Sequence, residues 1–301
     1  MLLDQSALSM YIGIDPRHML LLRRQEKPMS PPKKHFGQHF LHQRSVIERI
    51  VAAIAPRPGE RVIEIGPGEG ALTLPLLAAA GRLTAIELDG DLIAALRERA
   101  APVGELEIIH ADVLKVDLTT LADGSELRLA GNLPYYVSSP ILFHCLAHAD
   151  AITDMHFMLQ KEVVDRMAAA PGSKVYGRLS VMLQLACKVE PLLRVAPGAF
   201  RPPPKVESTV VRLRPLPAAE RPAPRLGQAI DAVVRAAFGQ RRKTLANALR
   251  GLLDSAAIRA AGVDPGARAE TVAPHGFVEL AERVAKSGLQ VGPQLADNAS
   301  R

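Results

Sequence analysis

Two hydrophobic rhythms divide this chain. Through its first two thirds, short and mostly apolar runs (Arg61–Ile65, Leu83–Ile86, Leu106–Ile109, Leu127–Ala130) recur between longer stretches whose apolar residues fall at helical intervals. Short apolar runs predict strands buried on both faces, and the spacing of Val46, Ile47, Ile50, Val51 and Ile54 predicts a helix ahead of the first of them. A helix-like run, Ala71–Leu77, follows the first strand; Met155–Arg166 passes from strand into helix, Tyr176–Val181 opens another helix, and Ser208–Leu213 closes the series as a strand. Strand and helix in alternation imply an α/β, Rossmann-like parallel sheet.

The rhythm changes after Leu213. Arg214–Pro224 is rich in proline and reads as a linker; beyond it Leu226, Ile230, Val233, Val234 and Ala237 mark one helical face and Leu245, Leu249, Leu252 and Leu253 another. The expected organisation is therefore a Rossmann-like domain at 34–214, a linker at 215–224, a small C-terminal all-α domain at 225–286 and a tail at 287–301. Residues 1–33 are expected to be a disordered extension, with the true start at Met1 or at Met29, just ahead of Lys33-Lys34. They lack the small-residue cleavage site of a signal peptide.

Composition narrows the classes. The chain has 301 residues, 48% of them apolar, enough for one large core and a smaller one, and no apolar run approaches the ~20 residues of a membrane span. A net charge of +6 and a pI near 9.5 suit a polyanionic partner. Cys145 and Cys187 stand alone, outside any Cys/His cluster, so neither a metal site nor a disulfide framework is expected, and a reducing cytoplasm is the expected compartment. Monomer is the default expectation for assembly.

Chemistry gathers at the predicted strand ends. Gly66-Pro67-Gly68-Glu69-Gly70 follows the first strand, and Glu87 closes the second about twenty residues on, where an acid can accept both hydroxyls of a ribose. The same spacing fits a dinucleotide fold. A pyrophosphate would meet Glu64 and Glu69 around that loop, however, whereas S-adenosylmethionine brings an ammonium and a sulfonium that acids favour. Asp112, after the third strand, is placed to accept from a cofactor adenine amine; His110 beside it reads as structural.

Gly131-Asn132-Leu133-Pro134-Tyr135 lies at the end of the fourth strand, where open α/β sheets bind ligands. An exocyclic adenine amine is a poor nucleophile until acceptors hold its N–H groups and draw the nitrogen toward a tetrahedral shape. Asn132 offers a side-chain oxygen, Leu133 a carbonyl held outward by the following proline, and Tyr135 a ring on which an everted base can stack. Phe200 is expected to form a second wall opposite Tyr135.

Phe36-Gly37-Gln38-His39-Phe40-Leu41, Glu64–Gly68, Asn132–Tyr135, Leu159–Glu162, Tyr176–Ser180, Phe200–Val206 and Gln240–Thr244 together resemble, in order, the small-subunit (16S) ribosomal RNA adenine-N6,N6-dimethyltransferases, the kasugamycin-resistance dimethyltransferase family. The resemblance spans about residues 34 to 285. It implies a class I S-adenosylmethionine-dependent methyltransferase that dimethylates N6 of two adjacent adenosines near the 3′ end of small-subunit RNA, late in 30S subunit biogenesis. Carried over by position, His39, Leu41, Gly66, Glu87, Asp112 and Asn132 would hold the cofactor, and Asn132, Leu133, Tyr135 and Phe200 would meet the target base. His39 stands where asparagine is usual, which alters that contact in detail without abolishing it, and Tyr136 is a second departure, with little effect expected.

Arg201 and Lys205 flank a three-proline rod, and Arg241-Arg242-Lys243 is expected to open a helix in the C-terminal domain; both groups are expected to bind RNA phosphates. Arg178 suits either a phosphate or a salt bridge. Three rival functions remain in view: methylation of large-subunit RNA, an assembly factor that needs no catalysis, and a dinucleotide-dependent dehydrogenase, which would have no use for Asn132 or the basic cluster.

Overall fold

A computed structural model of the chain describes residues 38–287. The expectations for the start of the chain, for residues 1–33 and for 288–301 of the tail lie outside the described residues.

The centre is a seven-stranded sheet. Its strands are β2 (Arg61–Ile65), β3 (Arg82–Glu87), β4 (Glu105–His110), β5 (Leu127–Asn132), β6 (Ile152–Gln160), β7 (Cys187–Val195) and β9 (Ser208–Pro215), ordered β4-β3-β2-β5-β6-β9-β7. From β4 to β6 neighbouring strands pair in parallel, and β9 returns antiparallel to β6. The central strands are apolar because both faces are covered: Val62, Ile63, Leu83, Ala85, Leu129 and Ala130 are all buried. β1 (Phe40–Leu41) and β8 (Phe200–Arg201) form a separate two-stranded ladder in which Leu41 faces Phe200.

Helices α1 (Arg44–Ile54), α2 (Thr73–Ala80), α3 (Gly90–Ala100) and α4 (Ser138–Ala147) lie between these strands in sequence. Val46, Ile50, Val51 and Ile54 form the buried face of α1, as the spacing predicts. α2 is apolar all round and nearly all buried, and Pro75 is tolerated because it lies in the first turn, where no N–H is needed.

Strand order reverses between β2 and β5. The chain leaves β2 toward β3 and β4 on one side, then crosses back to lay β5 on the other, which opens a crevice beyond their carboxyl ends. At this junction β5 comes unusually close to β2: a Cβ on Gly131 would lie 2.5 Å from the Ile65 carbonyl oxygen.

The predicted domain boundaries need one correction. The chain forms two compact units, the first running through Val164 and resuming at Glu190–Pro215, the second comprising Asp165–Val189 and the chain from Leu216. The 34–214 domain is thus interrupted, because Asp165–Val189, with the last residues of α5 (Lys161–Met167) and all of α6 (Arg178–Gln184), joins the helical unit. The cause is packing. Ala169, Tyr176 and Val181 share a core with Ile230, Val233 and Phe277, and the buried Tyr176 hydroxyl donates to the Val272 carbonyl at 2.8 Å. The helical unit also holds α7 (Gly227–Gly239), α8 (Leu245–Ala248), α9 (Ser255–Ala260) and α10 (Pro274–Lys286).

Candidate active site

β2 delivers the chain into the glycine loop, and hydrogen bonds from neighbouring strands hold that loop. Gly66 N–H donates to the Ile86 carbonyl at 2.9 Å. Gly68, at φ +57°, presents its bare Cα to Phe40; a Cβ there would lie 3.2 Å from the ring. Glu87, at the end of β3, spans the loop and its own turn: Oε2 accepts from Gly68 N–H at 3.0 Å and Oε1 from Asp89 N–H at 2.8 Å. Burial raises the Glu87 pKa against these two bonds. Asp112 caps the turn after β4, its Oδ1 accepting from Leu114 N–H at 3.0 Å.

These groups line one cavity of about 290 Å³, together with Gln38–Leu41 and the end of β5. Volume of this order suits a small-molecule site. His39, Leu41, Gly66, Glu87, Asp112, Asn132, Leu133 and Tyr135, all assigned from the sequence, line it together.

Glu64, which the sequence offers only as an acid beside the glycine loop, also lines it. Glu64 is 1% exposed, and its Oε2 has no hydrogen-bond partner among the described residues. Burial pushes its carboxyl from an ordinary 4.5 up to about 8; nearby Thr73 works to lower it and the charge of Glu87 to raise it. A buried acceptor without a donor, facing a cavity, fits a ligand that carries a cationic N–H group. Its signal in the sequence was an acid inside an apolar strand.

At the β5 end, Asn132 Nδ2 donates to the His39 backbone carbonyl at 2.9 Å. A carbonyl can only accept, so this bond sets the amide's orientation and leaves Oδ1 as its free acceptor. Leu133 N–H donates to the Met158 carbonyl at 3.3 Å, fastening the motif to β6. The Tyr135 hydroxyl is 2.7 Å from Ser208 Oγ, and its ring stacks on His39 with centroids 5.7 Å apart. The His39 ring is itself held by Nδ1, which donates to the Pro202 carbonyl at 2.8 Å.

Other assignments turn out differently. Phe200, expected as a second wall, is 2% exposed and packs in the sheet core with Leu41 and Val46; it is not among the residues lining the cavity. Pairing of β8 with β1 explains this, because alternation turns Phe200 inward and leaves Arg201 outward. Arg201 and Lys205 are exposed, away from the cavity lining. Arg241-Arg242-Lys243 does not open a helix: it forms the turn between α7 and α8. Arg241 is also committed there, its Nε donating to Glu270 at 2.9 Å, while Arg242 and Lys243 are exposed. Arg178 makes a salt bridge, at 2.7 Å from Asp231.

Comparison with known proteins agrees with this geometry. A family described as ribosomal RNA adenine dimethylase matches residues 29–286. A ribosomal RNA small subunit methyltransferase A of Xanthomonas campestris is 62% identical over 252 residues, covering 84% of this chain and 96% of the relative. The corresponding protein of Xanthomonas oryzae is 61% identical over the same length and coverage. Among solved structures, a dimethyladenosine transferase from Plasmodium falciparum superposes with a TM-score of 0.70 at 25% identity, over 83% of this chain and 98% of that one. The 23S rRNA methyltransferase ErmE superposes with a TM-score of 0.63 at 29% identity, over 82% of this chain and 99% of that one. With its crevice at the strand reversal and its Asn-Leu-Pro-Tyr motif at the end of β5, the chain belongs to the ribosomal RNA adenine dimethylase family.

Proposed function

We propose that this protein transfers methyl groups from S-adenosylmethionine to N6 of two adjacent adenosines near the 3′ end of small-subunit ribosomal RNA, giving N6,N6-dimethyladenosines late in 30S subunit biogenesis in the cytoplasm. The observation that carries the proposal is the Asn132 amide. One Nδ2–H is donated to the His39 carbonyl, which fixes the amide's orientation and makes Oδ1 the acceptor offered to an incoming amine. Oδ1 and the Leu133 carbonyl each accept one N–H of that amine, which withdraws the nitrogen lone pair from the ring and directs it outward. Tyr135 supports the face of the everted base, at a worth of about 1–3 kcal/mol. The methylated nitrogen is acidic and gives up its proton to water, so no histidine or cysteine base is required.

S-adenosylmethionine, when bound, supplies a methyl group already activated on a sulfonium. Glu64 would take its ammonium, Glu87 its ribose hydroxyls and Asp112 its adenine amine, while Gly66 and Leu41 shape the floor. The unpartnered Glu64 oxygen supports this fit. Glu87 keeps capacity for it, since each carboxylate oxygen has a second lone pair beyond the backbone bond it already accepts. An in-line approach of the amine to the methyl donor at about 3–3.5 Å would remove much of the barrier by alignment alone. Arg242, Lys243, Arg201 and Lys205 would bind RNA phosphates, and the working unit would be a monomer.

The test is incubation of the protein and labelled S-adenosylmethionine with unmethylated small subunits, large subunits and naked DNA, followed by mapping of the product by mass spectrometry. Dimethyladenosine in the small subunit is expected. Transfer to large subunits or DNA alone would overturn the proposal.

A further inference from the structure

Tyr135 and Tyr136 occupy the two corners of a turn closed by Val137 N–H donating to the Pro134 carbonyl at 3.2 Å. The first residue of α4 pins the turn again, Ser138 Oγ donating to the Tyr135 carbonyl at 3.1 Å. Adjacent corners send the two rings to different surroundings. Tyr135 is half-buried and engaged with Ser208 and His39. Tyr136 lines the same cavity but is 62% exposed, the highest value among the exposed large hydrophobic side chains of the described residues.

A large apolar ring left in water on a turn this well tied gains little for the fold. It has few rotations to lose on binding and a flat face to offer, which are the properties of a contact surface. We propose that Tyr136 is the stacking platform for the nucleobase next to the target adenosine, the one that stays outside while its neighbour is everted. This rests on the function proposed above.

Base eversion supplies the physical reason. Taking one nucleotide out of a stack uncovers a face of the next, and an aromatic ring beside the cavity mouth can cover it without reading its sequence. A cation outside the cavity lining, but next in the chain to a residue that helps to hold it, suits the linking phosphate. Exposed Arg201 immediately precedes Pro202, whose carbonyl holds the His39 ring, and that ring stacks on Tyr135.

The chain contains no tryptophan, so Tyr136→Trp introduces a single indole at the proposed contact. With a short single-stranded oligoribonucleotide carrying two adjacent adenosines as probe, indole emission should be quenched on saturation. Tyr136→Ala should raise KM for unmethylated small subunits about tenfold (~1.4 kcal/mol) with S-adenosylmethionine affinity within about twofold of the native chain, and Tyr136→Phe should restore KM. Continued methyl transfer by Tyr136→Ala with KM within about twofold of native, or indole emission indifferent to the oligoribonucleotide, overturns the stacking role while leaving the proposed function intact. No transfer to small subunits by the native chain overturns both.

Discussion

The two ends of the cavity are built by different means. At the proposed cofactor end, carboxyls stand at the ends of parallel strands, nearly sealed from water: Glu64 is buried with one oxygen unpartnered, and Glu87 is bound to two backbone N–H groups. At the proposed base end, the chain leaves β5 after Asn132 as a turn through Tyr136, held by side-chain bonds to His39 and Ser208 and partly open to solvent. The difference suits what each end is proposed to admit. A small cation-bearing ligand can be met by a preformed buried site, whereas a base attached to a polymer needs an opening whose neighbours stay accessible.

The largest effect should come from the base end. Asn132→Ala removes the oriented acceptor, and kcat should fall about 10²–10³-fold, by analogy with deletion of one transition-state hydrogen bond, while RNA binding persists. Steady-state transfer of labelled methyl groups measures this; near-normal turnover would contradict the mechanism. Next is the seam between the ends. Gly131→Ala drives a Cβ to within 2.5 Å of the Ile65 carbonyl, a backbone atom that cannot rotate aside, so β5 should be forced from β2. A loss of about 1–3 kcal/mol, as in overpacked cores, should appear in urea denaturation.

The cofactor end should respond to pH. Because the Glu64 pKa in the fold lies at about 8, above its ordinary 4.5, its contribution to stability is complete below about pH 4.5 and is lost as pH rises toward 8. A bound ammonium favours the charged carboxylate, so cofactor affinity should run the other way, rising by up to about tenfold per pH unit and levelling above pH 8. Glu64→Gln should weaken binding about tenfold at pH 8 and flatten the profile, which calorimetric titration between pH 6 and 9 reads directly. A profile unchanged by the substitution would remove Glu64 from the ammonium site. The smallest effect lies outside the cavity. Arg242→Ala with Lys243→Ala should lower the log–log salt slope of RNA binding by about 1.5–2, whereas Arg241→Ala, already paired with Glu270, should change it less. Equal slopes in the native and double variants would exclude the turn from phosphate binding.

Legibility in the sequence followed the range of the interactions involved. Strands β2 to β5 announced themselves as apolar runs, and glycine, acid and Asn-Leu-Pro-Tyr segments fell at their ends because parallel topology places ligands there. β7 went unread: it lies at the edge of the sheet, alternates weakly and contains Pro191, which an edge strand tolerates but which reads as a break. Arg241–Lys243 predicts a helix start yet forms a turn, because basic residues beside an apolar repeat look alike in either state. Phe200 looked available for stacking because its pairing partner, Leu41, is 159 residues away.

The sequence alone determined the alternating architecture, the order of the chemical groups along it and the class of reaction they suit, because each is written in local periodicity and spacing. Only the tertiary structure decided which atoms are free to act. The orientation of the Asn132 amide depends on a carbonyl 93 residues away, the Glu64 pKa on burial from every side, and the contrast between Tyr135 and Tyr136 on where Ser208 and His39 lie. Hydrogen-bond direction, desolvation and exposure are properties of surroundings assembled from distant parts of the chain, and no local pattern encodes them.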